Sequence, residues 1–331
     1  MRLVERLLGP AQDINVDTLD QFVTQAIGTE APYVVVGSRQ IVGPLWTALV
    51  EANRPFVLAF DDPHSALDNL VTRHGAEFVE AVRMVAKSCA SVASCAALPG
   101  ALALDAGRAA ADPAAAAAAI ARHFGLPLDE SGIAELLGPL AAAELQPDRE
   151  AHRRWRQQLD DSQRALAAGA VDPYLARLAG GDLAPITWER DFFYMNEDPP
   201  AEQDPPALRP IDITGRPRYV LYGPYITLPP GAWSATMALG FSAEAAELSY
   251  LVELCAGSDT PLASVTLRPG QERVVETSLN FSIVAPDMVE IRVFNERAAF
   301  DGRLALGHVA LTPAGTIRPE TRSYLETALG A

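Results

Sequence analysis

The chain reads as two fold classes in series, a helix-rich α/β part followed by an all-β part. Three observations predict this. Before residue 190 short apolar runs without alternation are separated by helical patterns. From Asn196 to Pro217 the chain carries Pro199, Pro200, Pro205, Pro206, Pro210 and Pro217, which neither a regular helix nor a central strand tolerates. Beyond it, alternating runs of about five to ten residues are divided by turn residues. The expected organisation is therefore a domain over 1–190, a Pro-rich linker over 191–217, a β domain over 218–315 and a last short helix, Pro319–Leu329, within 316–331.

In the first part, Tyr33–Val36, Pro55–Phe60 and Ala101–Leu104 are candidate strands covered on both faces, which favours one small parallel sheet. Helices are expected at Pro44–Glu51, Ser65–Thr72, Glu77–Ala96, Ser131–Leu140, Asp148–Ala168 and Pro173–Leu178. One more helix is fully punctuated, with Asp112 as its N-cap, Pro113 as its first residue and Gly125 after its last turn. In the second part the expected strands are Tyr219–Thr227, Ser234–Phe241, Ser249–Cys255, Ala263–Leu267, Glu272–Ser278, Met288–Phe294 and Leu304–Leu311. Their turns carry Pro229-Pro230-Gly231, Gly257-Ser258-Asp259, Pro269-Gly270 and Asp301-Gly302. That spacing is the pattern of a jelly-roll-like β-sandwich.

Composition narrows the function. The 331 residues are 49% hydrophobic and 21% charged, enough for two domains with apolar cores. The net charge is −16, and both parts are acidic, which argues against a nucleic-acid partner or an anionic membrane surface. No apolar run approaches the roughly 20 residues of a membrane helix. The N-terminus is too short and too charged for a signal peptide, and Cys89, Cys95 and Cys255 make no disulfide framework. Free buried thiols and a cytoplasmic location are the expectation. The single lysine, Lys87, stands against 25 arginines and lies mid-helix, away from any glycine-rich loop, so no phosphate-loop motif is present.

Chemistry is sought where parallel strands end, since ligands of open α/β sheets bind beyond the carboxyl ends of the strands. Asp61-Asp62-Pro63 stands at such a place, a strand running into a helix N-terminus that suits a phosphate. Two acids have the wrong sign for one. Asp62 suits an N-cap instead, and this reading outweighs a metal site built from Asp61, Asp62 and His64. No cofactor or metal is expected. Arg153, Arg154 and Arg156 lie within a helical turn or two of Asp160 and Asp161, which reads as a solvated, self-paired face.

Gly37-Ser38-Arg39-Gln40-Ile41-Val42-Gly43-Pro44-Leu45-Trp46, then Phe56–Pro63, then Asp112-Pro113 through His123-Phe124-Gly125-Leu126, resemble the later two-thirds of bacterial P-loop sulfotransferases over about residues 30–140. The resemblance implies transfer of a sulfuryl group from a nucleotide donor. It also implies where the donor's phosphate contacts fall. Arg39 matches a basic position of the pattern, Asp61 stands where the family has an arginine, and Asn69 where it has a serine. Ala106-Gly107-Arg108 replaces a Tyr-Glu-Asp string. Arg39, Asp61, Asn69 and Arg108 are thus remnants of a donor site whose ligands are replaced. An aspartate in place of a phosphate-binding arginine substitutes repulsion for a charge-assisted bond. Arg39 is better read as pairing with Asp61 or Asp62 than as an anion contact. No catalytic residue is assigned.

Tyr222-Gly223-Pro224-Tyr225-Ile226 through Leu228-Pro229-Pro230-Gly231 to Trp233, with Glu290-Ile291-Arg292-Val293-Phe294, resembles the carbohydrate-binding-module-like sandwich appended to glycosyltransferases of polysaccharide assembly. The resemblance implies glycan binding, for which Tyr222, Tyr225 and Trp233 are the candidates. Filling the sandwich core is the competing role, and the favoured one for Trp233. The function expected is a non-catalytic, sulfotransferase-derived protein that serves binding or assembly in surface-polysaccharide metabolism. A transferase with a rebuilt donor site and a purely structural protein are the alternatives. The partners allowed are a glycan, a polysaccharide-assembly protein or further copies of the chain.

Overall fold

The structure, a computed structural model, describes residues 12–15, 34–37, 46, 50–51, 55–137, 149–179, 181–196, 210–257, 260–271 and 273–315. The fold is mixed α/β with a β-rich C-terminal part. The chain divides into two compact units, Met1–Arg164 and Ala165–Ala331.

In the first unit, strands Gln12–Asn15 (β1) and Val34–Gly37 (β2) pair in parallel, as do Phe56–Phe60 (β3) and Ala101–Asp105 (β4). The single sheet expected to hold β2, β3 and β4 is corrected: among the described residues β2 pairs with β1, which the sequence reading missed, and β3 pairs with β4. Local apolar runs identify strands, but a parallel partner is chosen across long connections that leave no local mark.

The helices here are Pro63–Thr72 (α1), Phe78–Ala96 (α2), Ala106–Ala111 (α3), Pro113–His123 (α4), Glu130–Leu137 (α5) and Arg149–Gln158 (α6). Helix α2 buries Phe78, Ala81, Val82, Val85, Ala86, Cys89, Ala90 and Ala93, one stripe at three- and four-residue spacing. Phe78 meets Trp155 of α6 at 6.5 Å between ring centroids. Asp112 caps α4 by accepting from Ala115 N–H, with Pro113 at its start, as its sequence requires. The helix expected over Asp148–Ala168 is two, α6 and Asp161–Ala170 (α7). Asp160 and Gln163 exchange hydrogen bonds of 2.8 and 3.1 Å between side chain and backbone, a capping box that starts a new helix.

The boundary between the units falls within α7, and the second unit continues with helix Asp172–Leu178 (α8) and then strands Ile186–Trp188 (β5), Tyr194–Met195 (β6) and Ile211–Asp212 (β7). The longer strands are Arg218–Leu228 (β8), Gly231–Phe241 (β9), Tyr250–Ala256 (β10), Pro261–Leu267 (β11), Val274–Ile283 (β12), Asp287–Asn295 (β13) and Arg303–Gly315 (β14), with helix Ala243–Ala246 (α9) between β9 and β10. All seven expected strands are present with shifted ends. They form two antiparallel sheets, one in the order β11-β10-β13-β8-β6 and one in the order β12-β9-β14-β5, with β7 also on β14.

Both sheets carry a buried apolar face. Trp233, Ala235, Met237, Leu239 and Phe241 alternate along β9, while Tyr250, Val252 and Leu254 do so along β10, all of them buried. Phe241 of one sheet and Tyr250 of the other have ring centroids 4.8 Å apart. Residues 186–196 form a strap: β5 extends one sheet at β14, and β6 extends the other at β8. The division expected near residue 190 therefore falls inside a strand-pairing segment. A Cβ on Gly169 of α7 would stand 2.8 Å from the carbonyl oxygen of Thr187, so helix and strap touch through backbone. Helix Pro44–Glu51 is described only at 46, 50 and 51, where it is helical. Arg39, residues 197–209 of the Pro-rich linker and Pro319–Leu329 lie outside the described residues. No described helix is long and apolar enough to cross a membrane.

Candidate functional site

The parallel strand ends are the first place to test. Register sets Phe60 beside Asp105, so Asp61-Asp62 and Ala106–Arg108 leave one edge together. Their acids are engaged by their own backbone. Asp62 caps α1, accepting from His64 N–H at 3.3 Å and from Ser65 Oγ at 3.3 Å, as the N-cap reading requires. Asp61 accepts from Asp62 N–H at 2.8 Å. Asp105 caps α3 by accepting from Arg108 N–H at 2.7 Å. A carboxylate thus already occupies each helix terminus that would hold an anion. Arg108 is exposed, and half-buried Asn69 lies about 9 Å along α1 from Pro63 at helical rise. Among the described residues there is no group of three or more His, Cys, Asp or Glu side chains placed to hold a metal.

The second place is the outward face of the five-stranded sheet. Along a regular strand, Tyr219, Tyr222 and Tyr225 would alternate faces, because three is an odd number of steps. Two irregularities change that. Val293 and Phe294 of β13 face Leu221 and Tyr219, which makes Val220 an extra residue. Val289 and Glu290 face Ile226 and Pro224, which makes Tyr225 another. Each bulge restores the phase, so all three tyrosines reach the same side.

Tyr225 occupies the left-handed region, φ 59°, rare for a bulky side chain and costing on the order of 1–3 kcal/mol. Its surroundings hold it there. Its hydroxyl donates to Glu290 Oε1 at 2.8 Å, and its ring meets Tyr222 at 6.4 Å and Tyr194 at 6.0 Å. Burial, then the Glu290 hydrogen bond, push its phenolic pKa well above the ordinary value.

Tyr194 comes from the strap. It pairs with Tyr222 and stacks on it with ring centroids 5.5 Å apart and planes inclined by 22°. Gly223 makes room: at φ 121° it faces the strap, and a Cβ there would lie 3.4 Å from Tyr194 Cδ2 and from the Phe192 carbonyl oxygen. Register then continues the row from Tyr194 and Tyr222 through Arg292 and Glu253 to Ser264. Arg292 donates through Nε to Glu253 Oε2 at 2.9 Å, and Tyr219 donates to the same oxygen at 3.1 Å. The Arg292 guanidinium lies over the Tyr219 ring, 4.9 Å from its centroid. The pair is nearly enclosed, with side-chain exposures of 12% and 11%, whereas Tyr194 and Tyr219 are 40% and 37% exposed.

Of the three sequence candidates, Tyr222 and Tyr225 stand together on this face. Trp233 does not: it is 2% exposed and donates to the Pro229 carbonyl at 3.2 Å, as a core residue does. Sequence reading missed Tyr194, Tyr219, Glu253 and Arg292 as members. A glycine beside a proline within an apolar strand does mark a bulge, and the Tyr-x-x-Tyr-x-x-Tyr spacing around Gly223 was its legible trace.

No protein-family profile matches this chain, and no curated protein matches it. Among solved structures, the chain is similar to a C-terminal domain described as "EclA C-terminal domain; sugar-binding protein". The alignment covers 33% of this chain and 82% of that one at 16% identity and a TM-score of 0.21, a likeness too slight to carry an argument.

Proposed function

We propose that the two sheets form a jelly-roll-like β-sandwich that binds a glycan on its tyrosine face. In this reading the first unit is a non-catalytic scaffold of sulfotransferase descent, and the protein serves binding or assembly in bacterial surface-polysaccharide metabolism. The observation that carries the binding role is the delivery of Tyr219, Tyr222 and Tyr225 to one face by two bulges, with Tyr194 stacked beside them. Rings of this kind cover the apolar faces of sugars, and the Glu290 carboxylate and the Arg292–Glu253 pair lie where hydroxyl groups would sit. Support for the non-catalytic role is Asp62, whose carboxylate caps the helix terminus that a donor phosphate would use.

A glycan array probed with the full chain tests the binding role, with Tyr194→Ala/Tyr222→Ala as its control. Hits that vanish in the double variant support it, and hits that persist remove the tyrosines from the site. Titration with the adenosine bisphosphate product of sulfuryl transfer tests the first unit. Saturable binding at micromolar concentration would show a working donor site.

A further inference from the structure

We infer, building on the glycan-binding reading above, that the tyrosine face selects glycans free of carboxylate, sulfate and phosphate groups, laid across the strands from Tyr194 toward Ser264. The row crosses five strands, hence four inter-strand spacings or about 19 Å, which is room for several sugar rings. Its stacking rings, Tyr194 and Tyr222, stand at one end, and Arg292, Glu253 and Ser264 follow in register.

Charge sets the selectivity. Among the described residues that register places outward on β8, β10, β11 and β13, the side chains of formal charge are Arg292, Glu253 and Glu290, a sum of −1. The one cation is held by Glu253 at 2.9 Å in a nearly enclosed pair, so an incoming anion would have to displace a carboxylate already in place. Glu290, bonded to Tyr225, lies on the same face and repels a second carboxylate. The whole chain, at −16, adds to that field. The same pair suits a neutral sugar: Glu253 accepts from a hydroxyl and Arg292 donates to one, without a change in charge. A scaffold resembling sulfotransferases would suggest a sulfated ligand. The tyrosine face is built against one.

The test is an array holding neutral, amine-bearing, uronate-containing, phosphorylated and sulfated oligosaccharides of matched length, read with the full chain and with two variants. Glu253→Gln keeps a polar side chain beside Arg292 but removes its negative charge. Glu290→Gln keeps an acceptor for Tyr225. Hits confined to the neutral and amine-bearing members are expected, with anionic counterparts weaker by about tenfold or more. Anionic members should gain affinity relative to their neutral counterparts in Glu253→Gln, and to a smaller extent in Glu290→Gln. Thermal melts on both variants confirm folding. An anionic oligosaccharide bound by the unaltered chain as tightly as its neutral counterpart, and lost in Tyr194→Ala/Tyr222→Ala, would overturn the selectivity and leave glycan binding standing. An array with no hits in any class would instead sink the glycan-binding reading and this inference with it.

Discussion

The strand ends of the first unit and the tyrosine face of the second both gather polar chemistry, but they direct it oppositely. At the strand ends, Asp62 and Asp105 each accept from a backbone N–H group of the helix that follows. Those carboxylates complete local structure. On the five-stranded sheet, aromatic rings stand 37–40% exposed beside a carboxylate and an ion pair held by side chains of other strands. A group engaged by its own backbone completes local structure, whereas the exposed rings of Tyr194 and Tyr219 flank polar groups that only the pairing of distant strands brings together.

The sharpest test of that contrast lies within the second unit. Trp233→Ala should destabilise by about 3–5 kcal/mol in urea denaturation, since it empties a core site. A loss below about 1 kcal/mol would place Trp233 outside the core. The tyrosine face should behave in the reverse way. Tyr194→Ala/Tyr222→Ala should weaken any array-identified glycan by about tenfold or more at about 1 kcal/mol per ring, with a smaller loss of stability than Trp233→Ala. In the first unit, Asp62→Ala should cost about 1 kcal/mol by removing a helix cap. If the same change instead created nucleotide binding, the aspartate would be a gate on a live anion site.

The smallest effects are those of alkaline pH. Burial pushes the Cys95 thiol up to about 12. The phenols of Tyr250 and Tyr225 are likewise raised, both chiefly by burial. A group whose folded pKa exceeds its unfolded value contributes fully below the unfolded value and loses that contribution as pH rises toward the folded one. The Cys95 contribution should therefore be intact below about pH 8.5 and decline above about pH 9, while those of the tyrosines should decline only above about pH 10. Urea midpoints across this range, with Cys95→Ser as reference, would check the order. A midpoint that rose between pH 9 and 10 would contradict the sign.

What the sequence disclosed followed its local periodicities. Alternation located β8 to β14, and Asp112-Pro113 located the start of α4 to the residue. The strap escaped because strands of three and two residues are too short to alternate. The split at Asp160 escaped because the helical pattern runs through it, though the Asp-x-x-Gln box was there to be read. Half of the tyrosine face escaped for a different reason. A residue's face depends on the number of bulges before it, and those are settled by the partner strand. Glu253 and Arg292 meet across 39 residues of chain, a neighbourhood no window of sequence contains.

The strap also bears on inheritance. Ile186–Trp188 knits into one sheet and Tyr194–Met195 into the other. A fragment beginning at Arg218 would carry seven long strands yet expose the flank of β8, thin the border of β14 and lose Tyr194 altogether. A gene rearrangement that moved this tyrosine face to a new host would have to carry the segment from Ile186 onward, and the Pro-rich stretch with it. What such a fragment lacks begins at Ile186, ahead of the first of the prolines.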